Sequence, residues 1–289
     1  MDYLTWEGIR NLATCEVLNC GDQMAIVRSD PQRPVIKWYH QRALMASIPP
    51  TAPTAGEIVY ARAGWRAPWR ALLVQHVTQP IVLVSAFCDT TIKPTAVDEM
   101  FQPGSPVTHW FGVQAMATHP HLTAMPLGVE GSVVPYLEAG ERCATRDTLL
   151  YLNYQVRTQE RAQLWSSFAR RPWVTADRWT EANAAHCVSQ MGRSKFVLSR
   201  AGNAWDCYRT YEAIHMGAIP IVKRQRPISD VCEDLPVLMV DVWNEISRER
   251  LEREWEIRNM RTNLRDLRTL TLGYWRERIQ AMAKEVGRG

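Results

Sequence analysis

The sequence predicts an α/β protein built from two doubly wound domains. Short apolar runs of strand length alternate with helical patterns and turn signals. The strongest runs, residues 80–87 and 218–222, are apolar and rich in β-branched residues, as parallel strands covered on both faces are. The length of 289 residues, at roughly 150 residues per domain, suits two domains or one large one. With 46% apolar and 22% charged residues, the chain is neither disordered, collagenous nor a coiled coil.

The elements follow in order. Residues 15–18 read as a strand before the turn-prone Asn19-Cys20-Gly21-Asp22. Residues 25–27 read as another, closed by Ser29-Asp30-Pro31. The proline-rich stretch 31–56 has no usable period, and 69–77 has a helical one. Strand 80–87 leads into polar Cys88-Asp89-Thr90-Thr91 at its carboxyl end. Short strands at 108–114 and 122–126 precede a turn at 127–131. Residues 131–147, with Gly131, Pro135 and Gly140, read as a linker. A second series then runs strand 148–153, helix 159–170 capped by Thr158, strand 173–174, helix 183–192 and strand 195–199. Helix 206–216 is closed by Gly217 and followed by strands 218–222 and 237–240. Beyond Glu245 the chain is helical and rich in Arg, Glu and Trp. The expected domains are 1–140 and 141–270, with 271–289 as a terminal helix.

Two compositional biases stand out: 12 Trp, and 29 Arg against five Lys. Codon usage is one source of an Arg excess; demand for planar, bidentate recognition of phosphate or carboxylate is another. The net charge of +4 is too mild for a DNA-coating role. Seven Cys without a CxxC, mostly inside apolar segments, read as buried free thiols of a reducing compartment. His119-Pro120-His121 lacks further ligands at metal spacing, so no metal site is expected. The first residues lack the basic and apolar regions of a signal peptide, and no run approaches the ~18 apolar residues of a membrane span. The expectation is a soluble, cytoplasmic chain.

Chemistry is densest in residues 194–222. A strand runs into the polar loop Arg200-Ala201-Gly202-Asn203-Ala204, and a helix begins near Asp206. Unpaired N–H groups at a helix start suit a phosphate. Arg200 and Arg209 supply charge, and Arg209 and Glu212 share a helix face. A base and an acid so placed suit a nucleotide, Arg for its diphosphate and Glu for its ribose hydroxyls. The plainer alternative is an Arg–Glu pair on a solvated helix. The loop is neither GxGxxG nor a Walker sequence.

The segment resembles the C-terminal domain of exostosin-like glycosyltransferases. The shared residues are Ser194, Lys195, Phe196, Gly202, Asn203, Asp206, Arg209, Glu212, Ala213, Gly217, Ile219, Pro220, Ile221 and Val222, continued by Asp234-Leu235-Pro236-Val237-Leu238 and Trp243. Looser matches are the strand ending at Asp89, the stretch from His119-Pro120 to Gly128-Val129, and Leu150-Tyr151-Leu152-Asn153-Tyr154 with Thr158 and Glu160-Arg161. The family's Pro-Arg pair is Arg200-Ala201 here, its second glycine is Ala204 and its Trp is Tyr211.

The resemblance implies a GT-B architecture, two facing Rossmann-like domains with a cleft between them. The N-terminal domain would bind a glycan acceptor and the C-terminal domain a nucleotide-sugar donor, expected to be a UDP-sugar such as UDP-xylose. The terminal helix would cross back to the N-terminal domain. Lys195, Arg200, Gly202, Asn203, Asp206, Arg209 and Glu212 would bind the donor, which is a co-substrate rather than a cofactor. The implied reaction is inverting. It needs one general base, for which Asp89 is the first choice, with Asp22, Asp30, His119 and His121 behind it. No Asp-x-Asp occurs, which fits metal-independent transfer. Lys223-Arg224-Gln225-Arg226 follows a strand and reads as a further phosphate or acceptor contact, or as a solvated loop. Trp65, Trp69 and Trp110 are candidates for sugar stacking, although core packing is the commoner use. Competing readings are a catalytically silent glycan- or nucleotide-binding module and a phage-type transferase acting on modified DNA bases; nucleic acid is not the expected partner.

Overall fold

The computed structural model describes residues 2–20, 23–30, 32, 50–62, 69–86, 91–202, 204–226, 228–259 and 267–289. Two compact units divide the chain. One holds residues 2–127 and 269–289, the other 128–268. Each is an α/β unit around its own sheet.

In the first unit, helix α1 (Trp6–Arg10) starts at Thr5, whose hydroxyl accepts from the Gly8 N–H at 3.0 Å. The sheet contains β1 (Cys15–Cys20), β2 (Gln23–Arg28), β3 (Ile58–Arg62), β4 (Ile81–Ala86), β5 (Val107–Val113) and β6 (Leu122–Met125), in the order β2-β1-β3-β4-β5-β6. Strands β1 and β2 pair antiparallel and all other neighbours pair parallel. Helices α2 (Trp69–His76) and α3 (Pro94–Met100) belong to the crossovers. Every residue of β4 is buried, which is why its sequence does not alternate.

Strand β3 is the element that the sequence hid. Ile58, Val59, Tyr60 and Ala61 are buried at the centre of the sheet, but they follow a proline-rich stretch without period. Gly56, just before β3, has φ +75°, and a Cβ there would lie 2.4 Å from the Ala283 carbonyl. Ala283 lies on the terminal helix, Leu272–Val286, which belongs to this unit and buries Trp275, Ile279 and Ala283 along one stripe.

The second unit opens with a 3-10 turn (Gly131–Val133) and helix α4 (Val134–Ala139), where the sequence suggested a linker. Pro135 lies in the first turn, where its missing N–H costs nothing, and Leu137 is buried. The sheet is formed by β7 (Thr148–Leu152), β8 (Val174–Ala176), β9 (Ser194–Leu198), β10 (Ile219–Lys223) and β11 (Leu238–Val240). All pairs are parallel, in the order β11-β10-β9-β7-β8. Helices α5 (Gln159–Phe168), α6 (Ala184–Arg193), α7 (Tyr208–His215), α8 (Ile228–Val231) and α9 (Arg248–Asn259) complete it. The chain steps from β7 outward to β8, then returns across β7 to β9. The strand order therefore reverses between β7 and β9, and ligands of such sheets bind beyond the carboxyl ends of the strands at that point.

Arg146 ties the elements of this unit together. Its guanidinium donates to the carbonyls of Met191 (3.2 Å), Gly192 (3.0 Å), Ser194 (2.7 Å) and Met216 (2.9 Å). It thereby satisfies carbonyls at the C-terminal end of α6, the start of β9 and the end of α7. Gly217, at φ +74°, ends α7 and leaves room for it: a Cβ there would lie 2.6 Å from Nη2 of Arg146.

Among the described residues no helix is long and apolar enough to cross a membrane.

Candidate functional site

The site lies at the strand-order reversal of the second unit. Asn153 and Tyr154 directly follow β7, Arg200 and Ala201 follow β9, and Arg161 and Arg209 come from the first turns of α5 and α7. Helix α5 starts where the sequence places it, with the Thr158 hydroxyl accepting from the Arg161 N–H at 3.3 Å. The Arg161 side chain reaches the β9 loop. Its guanidinium donates to the carbonyls of Gln155 (3.1 Å) and Ala201 (2.9 Å). Arg200 donates to the same Ala201 carbonyl at 2.9 Å. One oxygen thus holds two guanidiniums side by side.

Arg209 completes the group. Its guanidinium carbon lies 5.9 Å from the centre of the Tyr154 ring, and Nη1 lies 3.6 Å from Cys207 Sγ. Burial, and next the charges of Arg200 and Arg209, lower the Arg161 pKa, with the Cys207 thiol opposing them. Burial raises the Tyr154 hydroxyl to about 12 against the pull of all three arginines. Arginine stays charged throughout. Three positive groups are therefore held together, and among the described residues their ion pair is that of Arg200 with the exposed Glu160.

The cluster is also short of hydrogen-bond partners. Asn153 Nδ2 and Oδ1, the Tyr154 hydroxyl and the Nε atoms of Arg161, Arg200 and Arg209 are buried without a partner among the described residues. Buried polar atoms are normally satisfied, and six unsatisfied ones in five neighbouring residues call for an explanation. A multivalent anion would bring acceptor oxygens to the five of these atoms that carry N–H or O–H donors; Asn153 Oδ1 is itself an acceptor and needs a donor.

A cavity of about 270 Å³ adjoins the cluster, lined by Ser199, Arg200, Trp205, Lys223, Gln225 and Trp243 among others. Strands β9 and β10 and the segment after β11 all reach it with their carboxyl ends.

The residues expected from the sequence divide into groups. Arg200 and Arg209 meet in the cluster. Asp206 is buried and holds the loop to α7, accepting from Tyr211 Oη at 2.6 Å and from the Cys207 N–H at 2.7 Å. Gly202 stands in open space, the nearest atom to a Cβ built there being the Asp206 carbonyl at 4.0 Å. Lys195 lies at the amino-terminal part of β9, away from Arg200, with its ammonium 5.6 Å from the Trp255 ring. Lys223 and Gln225 line the cavity, whereas Arg224 pairs with Asp241 at 3.0 Å and Arg226 with Asp230 at 3.6 Å. Asn203, Asp89, Asp22 and Trp65 lie outside the described residues.

Glu212 is buried one turn after Arg209. Burial raises its carboxyl to about 7; Arg209 and the Glu130 N–H lower it, and the Glu130 charge raises it. A carboxyl near 7 when folded and 4.5 when unfolded holds its proton longer in the native state. Its contribution to stability is full below pH ~4.5 and is lost as pH rises to ~7, by roughly 3 kcal/mol in all. Glu212→Gln is therefore expected to lose that part of the slope. Urea titrations of both proteins between pH 4.5 and 7.5 measure it, and parallel profiles would refute it.

In the first unit, His119 stacks on Phe101 at 4.4 Å and accepts from the His121 N–H at 3.2 Å. Asp30 accepts from the Gln32 N–H at 2.9 Å in a turn. Trp110 is core rather than a sugar platform: it is 3% exposed and donates to Ser85 Oγ at 2.8 Å.

Arg161, Tyr154 and Asn153 join the cluster although they are not among the donor-binding residues expected from the sequence. Arg161 reads locally as a residue of a helix's first turn, and its partner carbonyl comes 40 residues later. The signal was present in the match around Asn153-Tyr154 and Glu160-Arg161.

Residues 142–285 match the family model of the RXYLT1 C-terminal domain. The RXYLT1 match contains all five residues of the cluster and every lining residue of the cavity. No curated protein matches the chain. Among solved structures, the chain is similar to one in a crystal structure of a GtfA/B complex, at 12% identity and a TM-score of 0.42; the likeness covers 91% of this chain and 63% of that one. The chain thus spans less than two thirds of the length of that protein.

Proposed function

We propose that the chain is a GT-B-type glycosyltransferase that moves a sugar from a nucleoside diphosphate, UDP in the first instance, to a hydroxyl of a glycan. The observation that carries the reading is the convergence of Arg161, Arg200 and Arg209 on buried, unpartnered polar atoms at the strand-order reversal. The RXYLT1 match and the exostosin-like resemblance of residues 194–222 point the same way.

As the glycosidic bond to the donor breaks, negative charge grows on the departing diphosphate. Pre-placed donors at such a position are worth roughly 3 kcal/mol each. Three forked guanidiniums are suited to that task without a metal. Glu212 is assigned to the ribose hydroxyls. In an inverting displacement one base removes the acceptor proton as the hydroxyl attacks opposite the leaving group. Asp89, which follows the fully buried β4 in sequence, is the residue proposed for it, and the unit of residues 2–127 is proposed to hold the acceptor.

A thermal-shift panel of nucleoside diphosphates and their sugars tests the donor, since a ligand of the native state raises Tm. UDP is expected to raise Tm, with sugar transfer persisting in a chelator. A panel in which no nucleoside diphosphate shifts Tm would sink the reading. Binding without turnover on any UDP- or GDP-sugar would favour a silent binding module, which the displaced Arg200-Ala201 and Ala204 of the loop motivate.

A further inference from the structure

Glu160 is the carboxylate that the proposed diphosphate site keeps for itself. It stands in the first turn of α5, next to Arg161, and its Oε2 accepts from Nη2 of Arg200. The two partners differ sharply in exposure: the Arg200 side chain is 11% exposed and that of Glu160 is 61% exposed. Glu160 lines the 270 Å³ cavity, and among its described lining residues it is the sole acid. Each Nη of Arg161 donates one N–H to a backbone carbonyl, and Nη1 of Arg209 lies against the Cys207 sulfur. Among the described residues the direct ion pair of these three arginines is that of Arg200 with Glu160, whose carboxylate is largely solvent-exposed, whereas the buried Glu212 acts on Arg209 through charge.

We infer that Glu160 is a displaceable counter-ion: its carboxylate pairs with Arg200 where a phosphate oxygen of an anionic ligand would pair, so such a ligand competes with it for the guanidinium. This rests on the anion-binding reading of the cluster and adds a regulation to it. A guanidinium that is nearly buried is costly to leave unpaired. An exposed carboxylate meets that need at little stability of its own, because solvated ion pairs are weak. It therefore yields to a ligand bearing several negative charges and returns as the ligand leaves. The consequence is a site held ready between turnovers that releases its diphosphate product more readily than three unopposed arginines would.

The alternative role for the same contact has the opposite sign. If Glu160 served to orient Arg200 for the ligand, removing its charge would weaken binding. Calorimetric titration of the whole chain with inorganic pyrophosphate separates the two. Glu160→Gln keeps the size and a hydrogen-bonding oxygen but loses the charge. Glu181→Gln, an exposed acid of the 3-10 turn Glu181–Asn183, removes the same net charge elsewhere in the unit.

The expected result is pyrophosphate binding about five-fold tighter in Glu160→Gln at low salt, with slower dissociation, and a gain that shrinks as salt is added. Glu181→Gln is expected to bind like wild type. Unchanged or weaker binding in Glu160→Gln, with wild type binding normally, overturns the counter-ion while leaving the anion site standing. An equal gain in Glu181→Gln also overturns it, since the effect would then be one of net charge. If neither wild type nor Glu160→Gln binds pyrophosphate, the anion site itself fails, and the counter-ion with it.

Discussion

Arg209→Ala is expected to weaken binding of a nucleoside diphosphate by about 10²-fold, and Arg161→Ala by a similar factor. Each substitution removes one of the three guanidiniums of the cluster; each Nη of Arg161 donates one N–H to a backbone carbonyl and keeps a second for an incoming anion. Hydrogen bonds to charged groups are worth about 1.5–3 kcal/mol each, and one guanidinium makes two of them to a phosphate. Part of that gain is spent on ordering the ligand, which leaves a factor of about 10² in affinity. Arg209→Lys is expected to recover only part of it, because an ammonium is a point charge without the fork and without the same stacking over Tyr154. The double variant should fall short of the product of the two, since both arginines face one ligand. Titration with UDP and with pyrophosphate measures all of this, and an unchanged Tm guards against misfolding. Wild-type affinity in both single variants would remove the cluster from the donor site.

The second large effect concerns stability rather than binding. Arg146→Ala is expected to destabilise the second unit by about 3 kcal/mol. The guanidinium serves four carbonyls from the end of α6, the start of β9 and the end of α7. Its removal leaves these oxygens short of donors, and the Gly217 backbone faces the space it vacates. At about 2–4 °C per kcal/mol for a unit of this size, Tm should fall by roughly 10 °C. Arg146→Lys should recover little, because one ammonium cannot span four acceptors. Thermal unfolding followed by near-UV circular dichroism checks it, and a loss below about 1 kcal/mol would mean that water replaces the guanidinium.

Much of the fold was legible because some elements carry their own signal. Strands β4, β7, β9 and β10 are apolar runs of the right length, and α7 ends at a glycine whose φ of +74° favours that residue. Thr158 caps α5 as read. Strand β3 and helices α1, α3, α4 and α8 were not legible. Helix α4 carries a proline that looks like a break but lies where a helix tolerates one. Strand β3 is five residues long and owes its existence to β1 and β4 on either side.

The site divides along the same line. The sequence by itself determined that a basic loop and an Arg-Glu helix follow a buried strand, because those features are local and lie within residues 194–222. It also carried the Arg excess, without saying which arginines act together. Only the tertiary structure decided that Arg161 joins Arg200 and Arg209, that Asp206 is spent on Tyr211 and Cys207, and that Lys195 faces Trp255 instead. The physical reason is the topology of a parallel sheet. Its strands deliver their carboxyl ends to one edge, so side chains separated by tens of residues meet there, and no local pattern records which of them will.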